Sequence, residues 1–200
     1  YTIPNVFGAL PMSTAIQLLE PSYSKPIYRS RALHYTKTTI KIPVNPLEQP
    51  MKLVHLYTDG ACKGNPGPGG WGAILRYKNI EKEISGGEAS TTNNRMEMRA
   101  MIRALEQLKE PCHVVATSDS RYLLDGLEKG WAKTWRSRDW RKKDGKPALN
   151  RDLWEHLLTL TDQHKMEYHW IRGHAGHPEN ERADQLAVEA AERYARVGRG

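Results

Sequence analysis

The alternation of hydrophobic and polar positions becomes regular only after residue 50. Three strand-like stretches, rich in β-branched and aromatic residues, come first at 53–59, 71–77 and 80–86. A glycine and proline cluster at 64–70 separates the first two and predicts a loop. We therefore expect an antiparallel meander of three strands at the start of the regular region.

A helical period follows the meander. Apolar positions recur at steps of three and four residues, which predicts an amphipathic helix over 94–109. The short apolar stretch 113–117 is typical of a buried strand reached by a helical crossover. Further helices are predicted near 121–128, 131–137 and 151–163, then a strand over 166–171 and a helix over 179–196. The order β-β-β-α-β-α-α-α-β-α predicts an α/β fold, a mixed sheet flanked by helices.

Residues 1–50 have a different character. They hold seven of the twelve prolines and no sustained apolar period, so we predict a leader or linker that is disordered or loosely packed. The chain begins at Tyr1, and Met51, which opens the first clear strand, is a candidate natural start. Part of a transit peptide is the alternative, since the segment is poor in acids, but it lacks a clear amphipathic arginine face. The predicted folded domain is 51–197.

Composition narrows the class of protein. With 38% hydrophobic residues in 200, the chain can bury one core, which excludes wholesale disorder. Charges interrupt every apolar stretch, so we expect a soluble protein with no membrane partner. The two cysteines, Cys62 and Cys112, can form neither a disulfide framework nor a four-cysteine zinc site. Free thiols suit a reducing compartment, and we predict a cytoplasmic location.

Positive charge is concentrated in one segment. The chain carries +7, and residues 129–146 alone hold eight basic and two acidic side chains, a local charge of 8 − 2 = +6. Three tryptophans interleave with these cations, which favours contact with nucleic acid through Trp131, Trp135, Lys142 and Lys143. The alternative is a solvated helix whose tryptophans pack on the sheet.

Four acids lie where a strand ends or a helix begins. They are Asp59, Glu97, Asp119 and Asp184. Such ends are where α/β sheets assemble ligand sites. Each acid also has a local explanation. Glu97 could close a capping box with Asn94, and Asp119 could be an N-cap. Asp184 lies near the start of the last helix, where the helix dipole could stabilise its carboxylate, and Asp59 before Gly60 could be a turn residue.

Considered together, the four acids indicate a cation site. Clustered carboxylates repel one another and stay ionised only when cations offset them. Oxygen ligands without cysteine or paired histidines favour Mg²⁺ or Mn²⁺ over zinc. Two such ions, roughly 3.5–4 Å apart, stabilise both the attacking and the leaving oxygen of an in-line displacement. The predicted reaction class is an in-line phosphodiester displacement assisted by metal ions.

Four sequence motifs, in the same order along the chain, resemble those of type 1 ribonuclease H, most closely the bacterial form. The motifs run from Tyr57 through Asp59 to the glycine-rich cluster, from Thr91 to Glu97, from Thr117 to Ser120, and from Gly173 to Ala187. The resemblance covers about Met51 to Arg193. It implies a ribonuclease H-like fold, a five-stranded mixed sheet with helices on both faces.

The resemblance also implies an activity and its residues. The implied reaction is endonucleolytic hydrolysis of the RNA strand of an RNA/DNA hybrid, leaving 5′-phosphate and 3′-hydroxyl ends. The four acids match the family's metal-binding carboxylates, with two ions expected when substrate is bound. His174 matches the loop histidine that assists proton transfer or product release, and His177 is the competing candidate. Gly173 and Gly176 flank His174, and imidazole exchanges protons near neutral pH.

The family likeness places a substrate groove at further positions. Those matching Cys62, Asn65, Asn93, Asn94 and Arg121 line it, and Thr92 matches a residue that helps hold a phosphate of the DNA strand. Asparagine both donates and accepts, which suits 2′-hydroxyls and base edges in the shallow minor groove. Helix capping is the alternative for Asn93 and Asn94. Arg121 departs from the glutamine often found there in bacterial relatives.

Two other functions fit the same motifs. The chain could be a ribonuclease H domain cut from a reverse transcriptase, although residues 1–50 show no polymerase-like sequence. It could instead be a non-catalytic module that only binds hybrids, which the presence of all four acids and His174 disfavours. The expected partner in every case is an RNA/DNA hybrid, and the expected state is a monomer.

Overall fold

The computed structural model describes residues 51–197. The predicted leader or linker over 1–50 lies outside these residues. Five strands and five helices follow one another in the predicted order. They are β1 (Lys52–Cys62), β2 (Gly67–Tyr77), β3 (Ile80–Thr91), α1 (Asn93–Leu105), β4 (Cys112–Ser118), α2 (Arg121–Glu128), α3 (Trp131–Ser137), α4 (Arg151–Thr161), β5 (Lys165–Trp170) and α5 (Pro178–Val197).

The strands form one five-stranded mixed sheet in the order β3-β2-β1-β4-β5. β1 pairs antiparallel with β2, and β2 pairs antiparallel with β3. β4 pairs parallel with β1, and β5 parallel with β4. The predicted α/β class, with antiparallel strands first and parallel strands after them, is therefore confirmed.

The two faces of the sheet are covered by different helices. On one face, Val54 and Leu56 of β1 lie in the main core with Met98, Met101 and Ile102 of α1. The core continues into α2 and α4, where Leu123, Leu153 and Trp154 are buried. On the other face α5 packs against β2 and β1, with buried alanines along its length. Within residues 51–197, no helix is long and apolar enough to cross a bilayer.

The prediction of a loop over 64–70 is wrong in its second half, because β2 begins at Gly67. The glycines there serve helix packing. A Cβ at Gly70 would lie 2.2 Å from the Ala187 carbonyl oxygen, and one at Gly72 would lie 2.3 Å from that of Ala183. α5 therefore approaches the strand backbone more closely than any side chain allows. β3 also runs on to Thr91, beyond the predicted end at residue 86.

The predicted helix over 94–109 is too long at its carboxyl end. α1 ends at Leu105, and the amides of Gln107 and Leu108 donate to carbonyls three residues earlier, at 3.1 and 3.0 Å. This turn leads toward Pro111 and β4. Leu108 still packs against the core, which is why its position fits the helical period although it lies outside the helix.

Candidate active site

Parallel pairing brings two carboxylates to the same edge of the sheet. β1 and β4 are in register with Tyr57 opposite Thr117, so Asp59 and Asp119, each two residues further on, reach the edge together. Asp59 is still within β1, whereas Asp119 follows the end of β4. This is the edge at which parallel α/β sheets assemble ligand sites.

Glu97 joins them because α1 crosses the end of β1 at very short range. A Cβ at Gly60 would lie 2.3 Å from the Glu97 amide nitrogen, so only glycine allows this approach. The Gly60 amide donates to Asp59 Oδ1 at 2.7 Å and fixes that carboxylate. Gly60 thus orients the Asp59 carboxylate and also allows the first turn of α1 to pack closely against the end of β1.

The three carboxylates form a compact group. One oxygen from each of Asp59, Glu97 and Asp119 lies within 4.8 Å of the others. Asp59 is 6% exposed and Glu97 5%. Glu97 Oε1 accepts from Asn93 Nδ2 at 3.3 Å, while the buried Glu97 Oε2 has no hydrogen-bond partner among residues 51–197. A buried oxygen without a donor, beside two other carboxylates, fits a cation ligand.

The pKa values of the three carboxyl groups are raised by burial and by the neighbouring negative charges. Burial, reinforced by the charges of Asp119 and Asp184, raises the pKa of Asp59 to about 7. Burial and the charges of Asp59 and Asp119 raise the pKa of Glu97 well above its ordinary value. Burial also raises the pKa of Asp119, a shift that a backbone hydrogen bond and the charge of His174 oppose. Positive charge at the cluster would relieve this repulsion.

Asp184 lies on α5 and is outside the compact group of three, although its charge acts on both Asp59 and Asp119. The structure thus places it beside the cluster. Asp184 is the seventh residue of α5, beyond the first turn, so the helix-dipole explanation does not apply to it.

The capping explanations for two other acids are also wrong. Ser120, and not Asp119, is the N-cap of α2, with its side chain accepting from the Leu123 amide. Thr92, and not Asn94, is the N-cap of α1. Asn93 and Asn94 are its first two residues, so the proposed capping box of Asn94 with Glu97 is absent.

The loop before α5 approaches the cluster from the side of Asp119. A Cβ at Gly173 would lie 2.4 Å from Asp119 Oδ2. His174 is exposed, has a φ of 53° and acts electrostatically on Asp119. The Gly176 amide donates to Glu181 Oε1 at 3.0 Å, which ties the loop to the first turn of α5. His177 is exposed one residue before that helix.

The predicted groove residues near α1 come together around its first turn. Asn65 Oδ1 accepts from the Asn93 amide at 3.4 Å. The Cys62 thiol lies 3.5 Å from the Thr91 carbonyl oxygen, next to Thr92. Asn94 is exposed. These residues come from the end of β1, the following loop and the start of α1, and they border the carboxylate cluster.

Arg121 and Trp170 form a second border, on the β4–β5 side. The Arg121 guanidinium carbon lies 3.6 Å from the Trp170 ring centroid, and Trp170 Nε1 donates to the Asp119 carbonyl oxygen at 2.9 Å. Trp170 is not among the site residues predicted from the sequence. Its position at the end of a predicted parallel strand, the same type of position as Asp119, is the signal that could have identified it.

The basic segment over 129–146 is α3 with the irregular chain that follows it. The two predicted tryptophans differ, since Trp131 is 41% exposed whereas Trp135 is half-buried with its ring centroid 5.9 Å from that of Trp154. Lys142 is half-buried and Lys143 exposed. Among the described residues, neither lysine has an acidic partner. The cationic surface of this segment is therefore only partly neutralised by the protein itself.

Fold and carboxylate cluster together define a hydrolase of the ribonuclease H-like class. The RNase H family profile matches residues 51–192. The chain belongs to the RNase H family, as the sequence motifs indicated. Ribonuclease H of Chelativorans sp. (strain BNC1) is 61% identical over 137 residues, 68% of this chain and 84% of the relative. Ribonuclease H of Rhizobium meliloti (strain 1021) is 54% identical over 149 residues, 74% of this chain and 97% of the relative.

Solved structures give the same picture. LC9-RNase H1, described as a type 1 RNase H with the type 2 active-site motif, matches with a TM-score of 0.66 at 36% identity, over 74% of this chain and 76% of that one. LC11-RNase H1 in complex with an RNA/DNA hybrid matches with a TM-score of 0.55 at 25% identity, over 70% of this chain and 97% of that one. The chain is thus similar to a protein whose structure was solved with a hybrid bound.

Proposed function

We propose that this chain is an endonuclease that hydrolyses the RNA strand of RNA/DNA hybrids and leaves 5′-phosphate and 3′-hydroxyl ends. The observation that carries the proposal is the compact group of Asp59, Glu97 and Asp119 at one edge of the sheet, in which Asp59 and Glu97 are buried and Asp119 is half-buried. Family membership and the hybrid-bound relative support the substrate class.

The donor set suits Mg²⁺, with Mn²⁺ as a substitute and two ions when substrate is bound. The compact group offers only carboxylate oxygens, and the unpartnered Glu97 Oε2 suits a hard cation. When bound, the cations supply positive charge that stabilises the attacking and the leaving oxygens of the phosphodiester.

The residues divide the remaining work. Asp59, Glu97 and Asp119 would hold the cations, and Asp184 would add a fourth carboxylate from α5. Asn93 orients Glu97 through their 3.3 Å hydrogen bond. His174 is exposed in the loop beside Asp119, where its imidazole can accept or give up a proton as products leave.

The hybrid would lie across the cluster, between the first turn of α1 and the basic segment. Cys62, Asn65, Asn93 and Asn94 provide polar contacts to 2′-hydroxyls and base edges on one side. Thr92 and Arg121 serve phosphates, and Trp131, Trp135, Lys142 and Lys143 carry the contact toward the basic segment. This assignment rests on the two borders of the cluster, at the first turn of α1 and on the β4–β5 side, and on the charge of residues 129–146.

The remaining expectations stay proposals of the same kind. We propose that the protein acts as a monomer in the cytoplasm, with residues 51–197 forming the catalytic domain. The absence of disulfides between Cys62 and Cys112, which are both free thiols, is compatible with a reducing compartment.

A cleavage panel tests the function. A labelled RNA/DNA hybrid should be cut with Mg²⁺, while double-stranded RNA, duplex DNA and a duplex with one ribonucleotide test selectivity. Asp59→Asn should lower kcat at least about 1000-fold and largely spare hybrid binding, because a ligand of the cations is lost but the groove is kept. Glu155→Gln, an exposed carboxylate on α4, is the matched control and should cut normally.

The competing candidate, a module that binds hybrids without cutting them, predicts a different result. Such a module would bind the hybrid with equal affinity in the wild type and in Asp59→Asn and would cut it in neither. Native-rate cleavage by Asp59→Asn would instead show that the cation site is misassigned.

A further inference from the structure

Trp170 occupies a conspicuous place at the active-site edge of the sheet. It ends β5, pairs with Ser118 of β4 and donates from Nε1 to the Asp119 carbonyl oxygen at 2.9 Å. The residue is nevertheless 41% exposed. Because its N–H is held by a hydrogen bond while the residue stays partly exposed, Trp170 is an oriented aromatic surface next to Asp119.

Arg121 lies directly over this surface. Its guanidinium carbon is 3.6 Å from the Trp170 ring centroid, whereas the other cation and ring pairs of the described residues are 5.3–6.0 Å apart. Arg121 is exposed and, among residues 51–197, has no ion-pair or hydrogen-bond partner for its side chain. It does not pair with Asp119, only two residues away.

This arrangement keeps a cation available. A guanidinium stacked on an indole uses its flat face, so its in-plane N–H donors remain free for an acceptor with two oxygens. Stacking also restricts a long side chain before binding, which lowers the entropy lost when a ligand is engaged. A phosphodiester group offers the matching pair of anionic oxygens.

We propose that Trp170 is a positioning residue, which holds the Arg121 guanidinium away from Asp119 and presents it to a phosphate of the bound hybrid. The inference rests on the proposed function, because it assigns a contact within the same substrate groove. It adds that the contact depends on the aromatic ring of Trp170 and not on Arg121 alone.

Four variants test the proposal: Arg121→Gln, Trp170→Leu, Trp170→Phe and the double variant Arg121→Gln/Trp170→Leu. Hybrid binding is measured as a function of salt in an Asp59→Asn background, and kcat and KM are measured in the wild-type background. Lys165→Gln is the control, since it removes an exposed cation from the opposite end of β5.

We expect Arg121→Gln and Trp170→Leu each to raise KM about 3- to 10-fold and to reduce the salt slope by up to about one, with little change in kcat. Trp170→Phe keeps an aromatic face and should restore KM and slope to within about twofold of wild type. The double variant should be no worse than either single one, because both disrupt one contact. Lys165→Gln should match the wild type.

Other outcomes overturn the proposal. Equal losses of kcat in Trp170→Leu and Trp170→Phe, with an unchanged salt slope, would mean that Trp170 acts only through its hydrogen bond to Asp119. Additive effects of Arg121→Gln and Trp170→Leu would show that the two residues act independently, and not through one shared contact. An unchanged slope in Arg121→Gln, which needs no change in the sheet, would exclude the phosphate contact even if Trp170→Leu failed to fold. Failure of the wild type to cut hybrids would instead refute the proposed function.

Discussion

At the scale of single residues, the candidate active site is a group of like charges whose mutual repulsion opposes folding. Glu97 is 5% exposed with one oxygen unpartnered among the described residues, and Asp59 lies beside it under the repulsion of two further acids. Such a grouping lowers the stability of the metal-free protein and raises its affinity for cations, since both follow from the same repulsion.

Stability should therefore depend on pH in a definite direction. The pKa of Asp59 is about 7 in the folded chain, whereas an unperturbed aspartate carboxyl has a pKa of 3.8. The folded state binds the extra proton between these limits, so the free energy of unfolding falls as pH rises from about 4 to 7 and stays low above that range.

Asp59→Asn removes this effect. Without divalent cations we expect the variant to exceed the wild type in free energy of unfolding by about 1–4 kcal/mol at pH 8, and by progressively less toward pH 4. Urea unfolding in a chelator measures the difference, and Glu155→Gln is the control. A wild type as stable as the variant at pH 8 would contradict the assigned repulsion.

The two loop histidines give a second prediction. His174 acts electrostatically on Asp119, whereas His177 lies nearer to the start of α5. His174→Ala should lower kcat at least about 10-fold with little change in KM, since a proton-transfer group is lost. His177→Ala should stay within about threefold of wild type. Steady-state cleavage rates decide, and a larger loss in His177→Ala would exchange the two roles.

At the scale of elements, α3 and the chain after it form a cationic surface that the protein leaves partly unpaired. Lys129 and Lys133 have acidic partners, Asp125 and Asp162, both at 3.0 Å. Lys143 is exposed without such a partner in residues 51–197. A surface of this kind suits a polyanion, and its binding should release counterions.

Replacing Lys142 and Lys143 together by Ala should weaken hybrid binding and reduce the dependence of log K on log salt by about one to two. Lys109 and Lys165, at the other end of the sheet, provide a control pair of equal charge. Affinities at several salt concentrations measure the slope. If the two double variants gave the same slope of log K against log salt, the basic segment would not be part of the interface with the hybrid.

Local pattern predicts some of these elements well and others poorly. α2 and α3 lie where their sequence pattern put them, because each apolar period is bounded by a residue suited to a helix start, Ser120 and Gly130. The start of β2 was missed because Gly67–Gly70 has loop chemistry, while its role is set by α5, more than 100 residues later. The stack of Arg121 on Trp170 likewise joins residues that no local period connects.

At the scale of the whole molecule, residues 51–197 contain the sheet, its helices and the carboxylate cluster. The motifs identified the four acids, but motif and composition could not show that Asp184 stands outside the tight group. That position depends on how α5 packs against β2 and β1. Family resemblance therefore predicts which residues meet, and tertiary packing determines how closely.

The domain assignment predicts that a chain beginning at Met51 cuts hybrids with kcat and KM within about twofold of the full chain, because a domain carries its own core. A chain beginning at Leu56 is the control and should fail to fold, since it lacks the first four of the eleven residues of the central strand β1. Circular dichroism and cleavage rates measure both. Loss of activity on removal of residues 1–50 would mean that the catalytic domain begins before Met51.

The glycines of β2 have a consequence for chemistry as well as for packing. Asp184 is carried by the helix that packs on Gly70 and Gly72, so the absence of side chains on β2 determines where the Asp184 carboxylate lies. A single methyl group at residue 72 would clash with the Ala183 carbonyl oxygen and would displace α5, and with it Asp184. The position of the fourth acid therefore depends on two glycines of β2 that carry no charge themselves.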